Sequence, residues 1–338
     1  MKLATYRDGS RDGQLVVVSR DLSQAHFVAG IASRLQAVLD DWNFLAPQLE
    51  ELSISLNHGR ARHAFAFEPQ RCMAPLPRAY QWADASAYPS HLARLRQARG
   101  VVPLADAPAP VVMYQGGSDD LLGPCEDARF GSQEDGIDFE AEVAVITGDV
   151  AQGASPEQAL EGVRLLMLAN DWTLRHLVPA ELALGFGLIQ AKPSTAFSPV
   201  AVTPDELGPA WSGGRVHLVI QSLLNGLRIG EPDAGADMAF HFGELIAHLA
   251  RTRRVRAGSI VGSGAVSNVD RSRGFSCLAE QRAVEVLTDG AALTAYLRFG
   301  DLVQIDLRGR DGSSLCGLIR QRVAGLVDAV SADTDAAS

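Results

Sequence analysis

The sequence predicts an α+β, β-rich fold in which a small N-terminal cap precedes one larger, strand-rich domain. Three observations carry that expectation. Strand-like alternation recurs over 258–268, 282–288, 293–298 and 301–308, with the period of two that a half-buried strand shows. The chain has no strand–helix alternation at βαβ spacing, no G-x-G-x-x-G and no Walker loop, which disfavours a nucleotide-binding α/β sheet. Proline at Pro69, Pro75 and Pro77 interrupts regular structure and places a boundary near residue 75.

The elements follow in order. Residues 2–6 and 14–19 read as short strands around the turn-rich Asp8-Gly9-Ser10-Arg11-Asp12-Gly13. Residues 28–40 and 43–55 carry apolar residues at helical spacing, completing a cap over 1–75. The domain over 76–330 opens with strands and loops. A helix is expected over 155–169, begun by Ser155-Pro156-Glu157-Gln158, where serine caps and proline suits the first turn. Asn225-Gly226 between 215–224 and 227–229 signals a hairpin. Residues 238–251 read as an amphipathic helix, and 331–338, small or acidic, as a frayed tail.

Composition bounds the function. With 47% hydrophobic and 21% charged residues, a disordered chain or fibre is excluded. The 338 residues suit roughly two domains at about 150 each and can bury a core without staples. The 30 basic and 40 acidic residues give a net charge of −10, which argues against a nucleic-acid partner. Cys72, Cys125, Cys277 and Cys316 form no C-x-x-C and read as reduced, packed thiols. The N-terminus lacks an apolar h-region, and no run approaches the roughly 18 apolar residues of a membrane helix. A cytoplasmic enzyme or binding protein is the expectation, with no membrane partner.

The most informative segment is Gly136-Ile137-Asp138-Phe139-Glu140-Ala141-Glu142-Val143-Ala144-Val145-Ile146, which reads as one strand. Residues i and i+2 share a strand face, so Glu140 and Glu142 point the same way, with Asp138 in phase. Two adjacent carboxylates on one face repel unless something positive lies between them. E-x-E therefore reads either as a solvated polar face or as oxygen ligands for a hard divalent ion. Asp171 in Asn170-Asp171-Trp172-Thr173-Leu174-Arg175, and Asp84 and His91 in the loop-like 82–91, are further candidates.

Taken together, Asp84…His91, Glu140-x-Glu142, Asn170 to Arg175, Lys192, and Gly262-Ser263-Gly264 running on to Glu280 resemble the fumarylacetoacetate hydrolase family, of the bacterial type with an N-terminal cap. The likeness covers roughly residues 78–325, and four segments in order are far more specific than any alone. It implies a mixed β-sandwich roll, assembled as a homodimer or higher oligomer. It implies Asp84, Glu140, Glu142 and Asp171 as metal ligands for Mg²⁺, Ca²⁺ or Mn²⁺, and His91 as general base oriented by Glu280. Arg175 and Lys192 match cationic substrate and oxyanion contacts, and Tyr114 a substrate-contacting tyrosine.

The implied reaction is metal-dependent hydrolysis of a carbon–carbon bond in a fumarylacetoacetate-like 1,3-diketo acid, in aromatic-compound catabolism of the tyrosine type. His91 activates water and the leaving carbanion departs as a metal-stabilised enolate. Two positions depart from the family type. A glutamine expected three residues after Arg175 is Val178, and a threonine expected after the Gly-Ser-Gly turn is Ala265. They motivate an alternative, an oxaloacetate-type decarboxylase or keto–enol isomerase on the same scaffold. A non-catalytic small-molecule-binding protein is a third.

Other candidates read as structural. Arg251, Arg253, Arg254 and Arg256 suit a solvated helix end. His58 and His63 decorate the cap, and His241 and His248 lie on a helix. Trp172 packs in the core. His176 adjoins Arg175 without an expected partner, and Ser118-Asp119-Asp120 reads either as a site-lining loop or as a turn.

Overall fold

The computed structural model describes residues 1–101 and 110–326. The tail expected over 331–338 lies outside the described residues.

The main sheet runs, in spatial order, through Phe65–Ala66, Gln24–Phe27, Gln14–Val18, Lys2–Tyr6, Ala201–Val202, Val163–Asn170, Ala141–Thr147, Ser259–Gly262, Gln81–Ala85 and Met113–Gly116. A second sheet of five strands runs through Leu227–Gly230, Val219–Leu224, Leu302–Arg308, Ile319–Gly325 and Ala128–Phe130. Lys2–Tyr6 pairs antiparallel with Ala201–Val202, so the N-terminal strands prolong the main sheet.

The central strands are apolar on both faces, and their alternation sorts side chains into two cores. Val143, Val145, Leu166 and Leu168 face the second sheet and pack with Ile220, Ile305 and Val323. Ala144, Ile146, Leu165 and Met167 face the other way. There they meet Leu35, Val38 and Leu49 of α1 (Leu35–Asp40) and α2 (Trp42–Asn57). A sheet covered on both faces must read as a continuous apolar run, which is the β-rich sandwich with peripheral helices that the pattern predicts.

The structure departs from the expected elements where that apolar run misleads. The helix expected over 28–40 occupies only α1; Gln24–Phe27 is a strand. After α3 (Pro89–Ala98) comes α4 (Pro156–Leu160), which starts as predicted with Ser155 in a capping box. It ends there, and Val163–Asn170 is a central strand instead of the rest of one helix. The run of buried apolar residues Val163, Leu165, Leu166, Met167, Leu168 and Ala169 satisfies a helix and a doubly covered strand equally well. Downstream, α5 covers Val178–Leu184 and α6 Phe242–Ala250. The strand expected over 282–288 is instead part of α7 (Leu278–Asp289). Its Ala, Glu, Gln, Arg and Leu favour a helix, and Gly290 closes it with φ of 83°. The strand over 258–268 stops at Gly262, and 293–298 holds only a bridge from Leu297 to Ile137. The Asn225-Gly226 hairpin and the strand at 302–308 form as predicted.

Candidate active site

Five neighbouring strands of the main sheet meet at one end, and three of them bring Asp84, Glu142 and Asp171 there. Gly262 stands opposite Asp84 in a parallel pair, Tyr114 opposite Asp84 in the next, and Ala169 opposite Glu142 on the other side. Asp171 follows directly on Asn170, the last residue of its strand. Two glycines are required here. A Cβ on Gly262 would lie 2.3 Å from Asp84 Oδ1, and Gly264, at φ of 78°, passes 2.2 Å from Ala85 O by the same measure. Gly264 N then donates to Asp84 Oδ1 at 2.9 Å.

The E-x-E segment is not one strand. Ile137–Asp138 and Ala141–Thr147 are separated by an irregular Phe139–Glu140, and the three acids diverge. Carboxylate oxygens of Asp84, Glu142 and Asp171 lie within 4.8 Å of one another. Glu140 adjoins them but accepts from Arg175 at 2.8 Å and Lys192 at 2.6 Å, and from Thr173 Oγ1 at 3.1 Å. Asp138 turns to α7, accepting from the backbone of Leu278 and Ala279 at 2.8 and 2.9 Å while Arg175 Nε donates to it at 2.8 Å.

Glu142 and Asp171 are fully buried and Asp84 is 6% exposed. Asp171 is well supplied with donors: Lys192 Nζ at 2.5 Å and Tyr114 Oη at 2.6 Å reach Oδ2, and Thr195 Oγ1 reaches Oδ1 at 2.7 Å. Neither oxygen of Glu142 has a hydrogen-bond partner among the described residues. Burial, and then the neighbouring carboxylates, push the carboxyls of Asp84 and Glu142 well above their usual range. Glu140 goes the other way: burial opposes its ionisation, but Arg175 and Lys192 outweigh it and hold the carboxyl far below that range. Lys192 is likewise disfavoured as a cation by burial, yet Asp171 and Glu140 raise its pKa and keep it charged.

A buried carboxylate with two orphaned oxygens is costly unless something positive meets it. An oxygen-only donor set of three converging carboxylates fits a hard divalent cation. Asp84, Glu142 and Asp171 could hold one directly, with Glu140 beside them.

The second half of the site lies between α3 and α7. His91 Nδ1 is 2.8 Å from Glu280 Oε2. Glu280 Oε1 accepts from Ser267 Oγ at 2.8 Å and from the Arg94 guanidinium. Arg94 also donates to the carbonyls of Asn268 and Val269 at 2.7 and 3.0 Å. Burial pushes the Glu280 carboxyl up, but the bonds from His91, Ser267 and Arg94 outweigh it and leave it below the usual value.

Both halves open on one cavity of about 290 Å³. Asp84, His91, Glu140, Arg175 and Lys192 form its polar wall, and Leu95, Met113, Val178, Leu182 and Ala265 its apolar one. Tyr114 lines it too, with Lys192 Nζ 5.0 Å from the ring centroid. The structure therefore brings His91, Glu280, Lys192, Arg175, Tyr114 and the four predicted acids into one neighbourhood. Four participants escaped sequence reasoning: Thr173, Thr195, Ser267 and Arg94. Arg94 had a signal, since it stands one helical turn after His91 on the same face.

Residues 81–324 match the family described as fumarylacetoacetate (FAA) hydrolase, C-terminal. The chain belongs to the fumarylacetoacetate hydrolase family. Residues 1–78 match the description fumarylacetoacetase N-terminal domain 2. Among curated proteins no sequence relative matches. The fold is similar to that of a maleylpyruvate hydrolase from Sphingobium sp. SYK-6 in complex with manganese(II) and pyruvate. That likeness has a TM-score of 0.65 and 14% identity over 96% of this chain and 99% of the other. A fumarylacetoacetate hydrolase from the psychrophilic Exiguobacterium antarcticum gives 0.64 and 17% over 96% and 99%. A probable 2-hydroxyhepta-2,4-diene-1,7-dioate isomerase from Mycobacterium abscessus gives 0.63 and 18% over 96% and 99%.

The remaining candidates lie elsewhere. His176 is exposed, with Nδ1 2.6 Å from Glu134 O. His241 caps α6, its Nδ1 accepting from Gly243 N at 3.1 Å. Asp119 and Asp120 do not line the cavity. Trp172 is fully buried against Phe130 and donates to Gln321 Oε1 at 3.1 Å. Arg251, Arg253, Arg254 and Arg256 are exposed just beyond α6. Among the described residues, no helix is long and apolar enough to cross a membrane.

Proposed function

We propose that the protein is a divalent-metal-dependent hydrolase that cleaves a carbon–carbon bond in a 1,3-diketo acid, working as a homodimer in aromatic-compound catabolism. The observation that carries this reading is the two-part site: a carboxylate group fit for Mg²⁺, Mn²⁺ or Ca²⁺ facing a His–Glu pair across one cavity. Manganese and pyruvate in the Sphingobium relative support a cation and an oxo acid in this place.

When bound, a divalent cation supplies Lewis-acid polarisation of substrate oxygens and a template for a chelating diketone. The protein groups do the rest. Glu280 holds His91 by Nδ1, which leaves Nε2 to take a proton from water. The hydroxide adds to the substrate carbonyl. Lys192, held as a cation by Glu140 and Asp171, is the candidate donor to the resulting oxyanion, turning to it the hydrogen it otherwise gives Thr173 Oγ1, a contribution of roughly 3–4 kcal/mol where single donors have been removed. As the carbon–carbon bond breaks, its electron pair leaves as an enolate and the His91 imidazolium returns the proton. Arg175, anchored by Asp138 and Glu140, and Tyr114 contact the substrate's charged and polar groups.

Loss of diketone absorbance, followed with and without EDTA, tests the reading. Cleavage to two carboxylic acids that stops on chelation is expected; cleavage untouched by exhaustive chelation would sink the metal role. A second reading has its own observation. Val178 and Ala265 both line the cavity and replace expected polar groups with apolar surface. An oxaloacetate-type decarboxylase or keto–enol isomerase would need fewer contacts there, and carbon dioxide or an isomerised diketone as product would select it.

A further inference from the structure

Cys277 lies in the site, and no step above uses it. It directly precedes α7 and is free and wholly buried. Its Sγ, a ring nitrogen of His91 and a carboxylate oxygen of Glu280 lie within 4.8 Å of one another. This group shares no residue with Asp84, Glu142 and Asp171, and its chemistry differs. Three carboxylates suit hard cations, whereas sulfur, imidazole and one carboxylate suit Zn²⁺ and other thiophilic ions. Tetrahedral zinc wants its donors roughly 3.3–3.8 Å apart, so a side-chain adjustment of about 1 Å assembles three ligands and leaves a fourth position open.

We propose that His91, Cys277 and Glu280 form a second cation site, selective for thiophilic divalent ions, whose occupation switches the His–Glu pair off. On binding, the Cys277 thiol releases its proton to solvent and the thiolate sulfur bonds to the ion. His91 gives a ring-nitrogen lone pair and stays neutral. Glu280 moves Oε2 from His91 to the ion while Arg94 keeps Oε1. One proton leaves per ion, and no electron is transferred. Burial above all, and then the Asp138 carboxylate, push the Cys277 thiol up, so the thiolate forms only with the ion in place; the nearby Asp138 and Glu140 carboxylates favour the added positive charge, and Arg94 and Arg175 oppose it. The inhibition, though not the binding, rests on the proposed role of His91.

Cobalt(II) reports on such a site through its thiolate charge-transfer band. The full chain, with its carboxylate group first saturated with Mg²⁺, is titrated with Co²⁺. One equivalent should develop the band and release one proton. Glu142→Gln should keep the band, and both Cys277→Ala and Cys277→Ser should lose it. No band, or a band that survives in both Cys277 variants, overturns the proposal. Zn²⁺ should inhibit the Mg²⁺-loaded wild type at least about tenfold more strongly than Cys277→Ala; equal inhibition also overturns it. A band in a protein that never cleaves a diketo acid leaves the cation site standing and removes the hydrolase reading.

Discussion

The carboxylate group at the strand ends and the His91–Glu280 pair between α3 and α7 share a cavity but solve opposite electrostatic problems. Among the strand-end acids, burial and then mutual repulsion push the carboxyls of Asp84 and Glu142 up, and neither Glu142 oxygen has a donor among the described residues. Glu280 is almost as deeply buried, yet each oxygen has a partner and its carboxyl falls below the usual value. A buried acid with its donors in place is preorganised; one without them offers a place that a divalent cation could fill. The chain itself completes the surroundings of Glu280, whereas those of Glu142 could be completed by a bound cation.

The comparison can be broken from the helix side first. His91→Ala should lower kcat about 10²–10⁴-fold with a much smaller change in KM, as expected on losing a general base. Wild-type turnover in that variant would remove the assignment. Arg94→Met strips Glu280 of its buried cation and should destabilise the protein by about 3–5 kcal/mol, read as a lower midpoint in urea. An unchanged midpoint would show that Glu280 does not need Arg94.

From the strand side, saturating Mn²⁺ at a hundredfold excess over its Kd should stabilise the wild type by about 2.7 kcal/mol. Glu142→Gln should abolish that shift, while the metal-free variant melts no lower than the wild type because it loses no hydrogen bond. A variant that still gains stability from Mn²⁺ would place the cation elsewhere.

Acidification gives a smaller effect with a definite sign. Because the folded pKa of Glu280 lies below its ordinary 4.5, its contribution is complete above that value and is lost as pH falls through the folded pKa. Unfolding midpoints measured from pH 5 downward should fall less steeply in Glu280→Gln than in the wild type. Equal slopes would mean that Glu280 gains nothing from its partners. Arg253→Ala, on the exposed run beyond α6, should move stability by no more than about 0.5 kcal/mol.

Legibility in the sequence followed how local each feature is. The Asn225-Gly226 hairpin and the Ser155 cap depend on adjacent residues, and both formed as predicted. Val163–Asn170 could not be told from a helix, because its strand character comes from the layers packed on both faces. The order Asp84, His91, Glu140, Glu142, Asp171, Arg175, Lys192, Glu280 was enough to name a family. It did not show that Glu140 and Glu142 would take different partners, since that depends on the break at Phe139–Glu140 and on Lys192 arriving from fifty residues away.

By itself, then, the sequence determined the β-rich class, the family and the inventory of acids, because those reside in residue type, order and short-range pattern. The tertiary structure decided which acids stand unpaired, which are neutralised by Arg175 and Lys192, and that Arg94 and Cys277 border the His–Glu pair. Charge compensation in a buried site depends on distances between segments far apart in the chain, and only folding sets those distances.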